Sequence, residues 1–240
     1  SLLQLNGVTT HQNFQHQSRA LQTNIVQQIC DGKTAVVFRR DDKLQNLTES
    51  IKQHFPTVLI LNRGAHYSPD DELLANVRQN IRIVRKWLNE CEEQELTCHF
   101  FWRTSVPGHP GCGNFTTPVN DLKAMEALVA NRSNYDKRSI KFHWYDFQHQ
   151  NELVVKEFQD ADLQNFEVID AYVLNILRPD EHRAHQGDCL HNCYPGKIDV
   201  YNQLLLHYLK MQRSKDDVRR QPKVLPANSI YDWDEKANTG

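Results

Sequence analysis

Short apolar runs alternate along this chain with longer stretches of helical period. The runs at residues 34–39, 57–61, 98–102, 140–145 and 166–169 have the length and β-branched or aromatic content of strands. Between the second and third, Leu73, Val77, Ile81, Val84, Leu88 and Cys91 recur every three or four positions and form one apolar stripe, which predicts a long amphipathic helix. Asp70 and Asp71 stand at its start, where the positive end of the helix dipole favours carboxylates. Further helices are expected over 44–54, 122–130, 151–158, 170–177 and 199–212, the last presenting Leu204, Leu205, Tyr208 and Leu209 to a core. Strands alternating with helices predict an α/β fold: three layers, α/β/α, around a mostly parallel sheet. Three connections lack periodicity, at 62–69, 103–117 and 178–197. Loops that follow parallel strands gather at the carboxyl edge of the sheet, where such folds place their chemistry. Residues 1–213 are expected to form one domain, and the polar stretch 214–240, broken by Pro222 and Pro226, a C-terminal extension.

Composition narrows the function classes. The 240 residues are 39% hydrophobic and 24% charged with a formal charge of −2, too balanced for an electrostatic grip on nucleic acid. A mean hydropathy of −0.67 describes a well-solvated surface. No apolar run reaches the roughly 18 residues that cross a bilayer, so no membrane contact is expected from these residues. The sequence opens on Ser1 and its methionines are Met125 and Met211, so further residues, and with them a place for an anchor, are expected upstream. Six cysteines, at 30, 91, 98, 112, 189 and 193, and three sequons, at Asn46, Asn114 and Asn131, point together to an oxidising secretory lumen.

Reactive side chains concentrate in 178–196, Arg-Pro-Asp-Glu-His-Arg-Ala-His-Gln-Gly-Asp-Cys-Leu-His-Asn-Cys-Tyr-Pro-Gly. Three readings compete for it. Asp188 and His191, three residues apart on a tight turn or helical start, make a carboxylate–imidazole pair: Asp188 accepts from Nδ1 and leaves Nε2 to take a proton from a hydroxyl nucleophile. Alternatively His182, His185, Cys189, His191 and Cys193 are zinc ligands, although their irregular spacing lacks a Cys-x2-Cys knuckle. The plainest reading is a solvated loop held by a disulfide at Cys189 or Cys193.

The same segment resembles the final block of the PC-esterase and trichome-birefringence-like group of the SGNH hydrolase superfamily. The matching residues are Asp188-Cys-Leu-His-Asn-Cys-Tyr-Pro-Gly196 followed by Asp199-Val-Tyr-Asn202, with Arg178-Pro-Asp-Glu-His182 upstream. Asn192 and Tyr201 stand where many plant members carry tryptophan, which marks a divergent branch. Nearer the front, the run from Val58 through Asn62-Arg-Gly64-Ala-His-Tyr67 and the run Phe100-Phe-Trp-Arg103-Thr104-Ser105-Val-Pro-Gly-His109 are similar to two other family blocks. The resemblance implies an acyl-enzyme mechanism with His191 and Asp188 catalytic and an oxyanion hole at Asn62 and Gly64, whose side-chain and backbone N–H groups suit that role. Arg103 and Tyr67 are candidates for substrate binding, and Tyr67, Trp102 and Tyr194 for stacking on sugars. It further implies an acetyl group moved to or from a glycan hydroxyl in the Golgi lumen, with a polysaccharide and an acyl donor as partners and no cofactor.

One part is missing. No Gly-Asp-Ser occurs in the sequence, and Gly187-Asp188-Cys189 imitates it only superficially. The resemblance places the nucleophile and first strand before Ser1, with Ser1-Leu-Leu as a step in the helix that follows. A noncatalytic glycan-binding module that has lost the serine is the alternative. Cys189 and Cys193 are each expected in a disulfide that braces the loop of His191, with the pairing left open.

Overall fold

The computed structural model describes residues 24–63, 67–183, 187–192 and 196–220. These divide into two units, one ending at Gln203 and one beginning at Leu204. In the first unit an antiparallel hairpin, β1 (Asn24–Ile29) and β2 (Thr34–Arg39), comes first. Cys30, Asp31 and Gly32 turn it with positive φ. The run at 34–39 is therefore a strand, but it pairs with β1 and is not a member of the parallel sheet. Asn24–Ile29 sets Ile25 beside Val26 and Gln27 beside Gln28, so it lacks the alternation of a strand, which hid this partner from sequence reasoning.

Next come α1 (Leu47–His54), β3 (Val58–Leu61), α2 (Asp70–Glu93) and β4 (His99–Arg103). After them follow α3 (Leu122–Ala130), α4 (Lys137–Lys141), α5 (Phe147–Asp160), β5 (Phe166–Ile169) and α6 (Ala171–Ile176). The sheet is β3-β4-β5, parallel throughout, with Leu59 opposite Phe100 and Trp102 opposite Val168. The long helix forms as its stripe predicts: Leu73, Val77, Ile81, Val84 and Cys91 are buried, and Asp70, Asp71 and Glu72 occupy its first turn. They pack with Leu61, Phe100 and Trp102 of the sheet and with Val154 and Phe158 of α5. Phe158 is fully enclosed, so truncation to alanine costs about 3–5 kcal/mol. A disulfide, Cys91–Cys98, ties the end of α2 to the start of β4, and Trp87 Nε1 donates to the Pro56 carbonyl at 3.0 Å.

The run at 140–145 is not a strand. Asp136 accepts from the Ser139 amide at 2.7 Å and caps the short α4, and His143 then ends that turn at φ 53°. This local capping overrides the alternation of Ile140, Phe142 and Trp144. Trp144 instead joins Met125, Val129, Tyr135, Phe147, Tyr172, Ile176 and Leu190 in a second core. Gly108 is required beside it, because a Cβ there would overlap the Trp144 ring.

Beyond α6 the segment read as an aperiodic loop contains a small antiparallel hairpin, β6 (His182–Arg183) and β7 (Asp188–Asn192). Gly187 precedes β7 at φ +67°, a conformation that glycine adopts without strain. The last helix, α7 (Lys197–Arg220), opens in the first unit and continues through the second, past Gln212 where the sequence pattern ended it. Among the described residues no helix is long and apolar enough to cross a membrane.

Candidate active site

The loop that leaves the carboxyl end of β4 reaches the hairpin carrying Asp188 and His191. Its start is fixed from several sides. Thr104 Oγ1 donates to Asp170 at 3.1 Å and accepts from the Tyr172 amide, which joins the end of β4 to the start of α6. The Ser105 N–H donates to Asn151 Oδ1 and the Ser105 carbonyl accepts from Asn151 Nδ2, both at 2.8 Å. Farther along, the His109 amide donates to the Cys189 carbonyl at 2.9 Å, and Cys112 is disulfide-bonded to Cys189. Leu190 is buried in the second core. The strand that carries the candidate dyad is thus held by a covalent bond, a backbone hydrogen bond and one apolar anchor.

On that strand Asp188 divides its oxygens. Oδ1 accepts from the amides of Leu190 and His191 at 3.1 and 3.0 Å, and Oδ2 accepts from His191 Nδ1 at 2.8 Å. Asp188 and His191 therefore pair as their spacing suggested, from a strand rather than a helical start. Partial burial pushes the Asp188 carboxyl up, but the two amides and the imidazole outweigh it and hold the carboxyl below its usual range. The His191 side chain is 72% exposed and its Nε2 points away from the carboxylate bond, able to exchange a proton with an approaching hydroxyl.

The other predicted site residues fall as follows. Asn62 and Arg103 clasp each other at the carboxyl ends of β3 and β4: Asn62 Nδ2 donates to the Arg103 carbonyl at 2.9 Å and Arg103 Nη2 to Asn62 Oδ1 at 2.6 Å. One Nδ2 hydrogen of Asn62 is left over. Burial pushes the Arg103 guanidinium down from its usual range, while nearby Tyr201 acts against that. Tyr67 is partly buried and lies flat on His143, ring centroids 3.7 Å apart, so one of its faces is already covered. Trp102 is 2% exposed within the first core and has no face for a sugar, a correction to its reading as a stacking residue. Gly64, His185, Cys193 and Tyr194 lie outside the described residues. Cys189 is spent in its disulfide and offers no thiolate, and among the described residues no group of three or more metal-ligating side chains forms.

With this geometry established, the sequence can be set against known proteins. Residues 48–208 match PC-Esterase, the GDSL/SGNH-like acyl-esterase family found in Pmr5 and Cas1p. The chain belongs to this family. It is similar to protein trichome birefringence-like 20 of Arabidopsis thaliana, 28% identical over 63% of this chain and 31% of that protein. It is also similar to xyloglucan O-acetyltransferase 4 of Populus trichocarpa, 30% identical over 46% of this chain and 24% of the relative. The chain thus spans about a quarter to a third of the length of these curated relatives. No solved structure matches it.

Three residues of this PC-esterase site escaped sequence reasoning. Cys112 was not singled out as the partner of Cys189. Arg63, next to Asn62, is buried and donates to Ser68 Oγ at 2.7 Å, with Glu72 at 3.7 Å. His109, quoted only as the end of a block, is buried against His182, Nδ1 to Nε2 2.6 Å. Its Gly108-His109-Pro110 setting reads as an ordinary turn, so the sequence carried no signal for its burial.

Proposed function

We propose that this PC-esterase chain supplies the base and carboxylate of a Ser-His-Asp acyl-transfer site that moves an acetyl group to or from a glycan hydroxyl. The observation that carries this reading is the imidazole of His191, whose Nδ1 is committed to Asp188 while Nε2 faces solvent. The serine is supplied by the family's Gly-Asp-Ser block, which this sequence does not contain. In the forward half-reaction His191 Nε2 takes the serine proton as Oγ attacks the acyl carbonyl, and Asp188 stabilises the imidazolium that forms. Collapse of the tetrahedral intermediate leaves an acyl-serine and protonates the leaving alcohol from Nε2. A second hydroxyl, from a sugar or from water, then reverses the steps.

The remaining Nδ2 hydrogen of Asn62, with a backbone N–H at Gly64, is proposed to hold the oxyanion. Arg103 fixes the Asn62 amide from behind, so its role is to position that donor. The names of the Populus relatives make xyloglucan the first polysaccharide to offer as acceptor. Transfer rather than hydrolysis requires that water be kept from the acyl-enzyme. A secretory-lumen, Golgi-type setting is supported by the two disulfides and by the exposure of all three sequon asparagines, Asn46, Asn114 and Asn131.

The test uses the full-length protein. Acetyl transfer to xyloglucan, or release from an acetylated glycan, together with labelling by a serine-directed phosphonate, is expected in the wild type and lost in His191→Ala. Turnover that survives in His191→Ala removes the dyad from catalysis. A glycan-binding module instead predicts saturable glycan binding with neither labelling nor turnover, but the burial of Trp102 takes away one of the aromatics that motivated it.

A further inference from the structure

One charged side chain beside the candidate site is buried with donors to spare. Arg63 follows Asn62, and its side chain is 4% exposed. Of its guanidinium nitrogens only Nη2 has partners, Ser68 Oγ at 2.7 Å and Glu72 at 3.7 Å. Nε and Nη1 meet no acceptor among the described residues. Glu72 matches the charge only in part, being half exposed and shared with Lys43 at 3.1 Å. Burial pushes the Arg63 pKa down, with Glu72 acting against it, yet a guanidinium keeps its proton.

A second orphan donor lies on the same face. Trp102 is buried, and its Nε1 likewise has no acceptor among the described residues. Strand geometry brings the two together: Trp102 is paired with Leu61, and Arg63, two positions past Leu61, returns to the face that Leu61 takes. Both residues line one cavity, walled by Leu73 of α2 and by Phe147 and Val154 of α5. The other polar side chains there are already engaged. Ser105 and Asn151 bond each other twice, Ser68 Oγ donates to Glu72, and Gln150 Nε2 donates to the Ser68 carbonyl and to Asp70. The cavity therefore offers spare N–H donors and one positive charge beside an apolar wall.

These features select a ligand. Buried donors without acceptors are costly, so they call for acceptor oxygens. A single positive charge partly matched by Glu72 suits a monoanion. Phosphate or sulfate would bring more charge than it meets, and would set oxygens against Leu73, Phe147 and Val154. We propose that Arg63 and Trp102 hold a short alkyl carboxylate, of which acetate is the simplest, its oxygens on their N–H groups and its alkyl group on the apolar wall. The half-buried Ser105, Gln150 and Asn151 form the rim. Asp188 and His191 do not line this cavity, so the site stands apart from the acyl-transfer reading.

The test is titration calorimetry of the full-length protein with sodium acetate at constant ionic strength. Saturable binding of one equivalent is expected. Arg63→Gln should weaken it about 30-fold and Trp102→Phe about 5-fold, the scales of a charged and of a neutral hydrogen bond. Trp102→Phe keeps an aromatic ring in the core and removes the N–H, so it decides the matter even where Arg63→Gln folds poorly. No saturable binding in the wild type, or equal binding in wild type and Trp102→Phe, overturns the proposal. Sulfate or glucuronate binding as tightly as acetate also overturns it, the first marking a general anion site and the second a uronic-acid site. His191→Ala is expected to bind acetate as the wild type does. Loss of acetate binding in that variant puts the anion at the dyad and rejects the Arg63 site alone. Acetate binding that persists in a His191→Ala protein of unchanged turnover keeps this site and rejects the acyl-transfer reading alone.

Discussion

Two carboxylate–imidazole pairs of nearly equal length, among the described residues of this protein, are built for different ends. Asp188 and His191 meet at 2.8 Å; Asp70 and His149 meet at 2.9 Å. In the first, the ring uses Nδ1, the nitrogen nearest its own backbone, and keeps the outer Nε2 for chemistry. In the second, Nε2 is consumed by Asp70, so the reachable end of the ring is already occupied. The carboxylates differ as well. The second oxygen of Asp188 is held by amides of its own strand, whereas that of Asp70 accepts from the Gln150 side chain across the junction of α2 and α5. One pair leaves a ring nitrogen open, as the proposed base requires, and the other bridges two helices. The lesson is that pairing distance alone does not mark a candidate for proton transfer; the nitrogen left over, and what fixes the carboxylate, separate the two pairs.

The most severe way to break this comparison is to remove each ring. In the full-length protein the proposed role predicts that His191→Ala costs about 10⁶ in kcat, the scale of losing the base of a hydrolase triad. His149→Ala should leave kcat within a few-fold of wild type. Assays of both variants on one acetylated glycan decide it, and equal losses would mean that the free nitrogen is not the criterion. The next step down tests the carboxylates. Asp188→Asn is expected to lower kcat by about 10⁴ with the fold intact, since the amide favours the wrong tautomer of His191. Asp70→Asn should leave kcat untouched.

The scaffolds under the two regions differ too. Cys112–Cys189 closes a separation of 77 residues beneath the dyad, and Cys91–Cys98 one of 7 at the end of α2. Chain entropy assigns about 4.5 kcal/mol to the first and about 2.4 kcal/mol to the second. Replacing Cys112 and Cys189 by alanine should therefore lower the denaturation midpoint more than replacing Cys91 and Cys98, and only the former should also depress kcat. Denaturation curves and turnover on the two double variants check both statements.

The parts of this architecture that sequence disclosed are those where one local signal acts without competition. The α2 stripe, the apolar runs of β3, β4 and β5, and the three-residue step from Asp188 to His191 each say what they are. The failures share a cause. Residues 140–145 alternate like a strand, but the Asp136 cap and the left-handed His143 decide their conformation. Asn24–Ile29 is polar enough to pass for loop, and becomes a strand because Thr34–Arg39 pairs with it. At the site, the dyad was legible because both members sit on one segment, while the supports of His191 come from residues about 80 positions away, Cys112 and His109, whose partners no spacing rule connects. Trp102 was misread because a residue near a strand end looks equally fit for the rim and for the core; β4 is the central strand of the sheet, and Phe100, Phe101 and Trp102 are all buried on it.

The smallest expected effect sharpens the comparison from the side of the Asp70–His149 pair. The hydrogen bond from Asp70 raises the His149 pKa above its ordinary value, with Asp146 and Glu152 adding to it, and the bonds from Gln150 and His149 lower that of Asp70. A raised histidine stabilises fully below its unfolded value, near about 6.5, and loses that contribution as pH rises through its folded value. A lowered carboxylate stabilises above its unfolded value, near about 3.9, and loses the contribution as pH falls through its folded value. The bridge between α2 and α5 is therefore strongest between these limits. Both side chains are about half exposed, at 51% and 42%, so solvent screening holds the whole contribution to about 0.5 kcal/mol. Asp70→Asn is expected to lower the Tm by about 1–2 °C in mildly acidic buffer and by less on the alkaline side of neutrality. A Tm difference that grows with pH would show that His149 is not the partner that gives Asp70 its stabilising role.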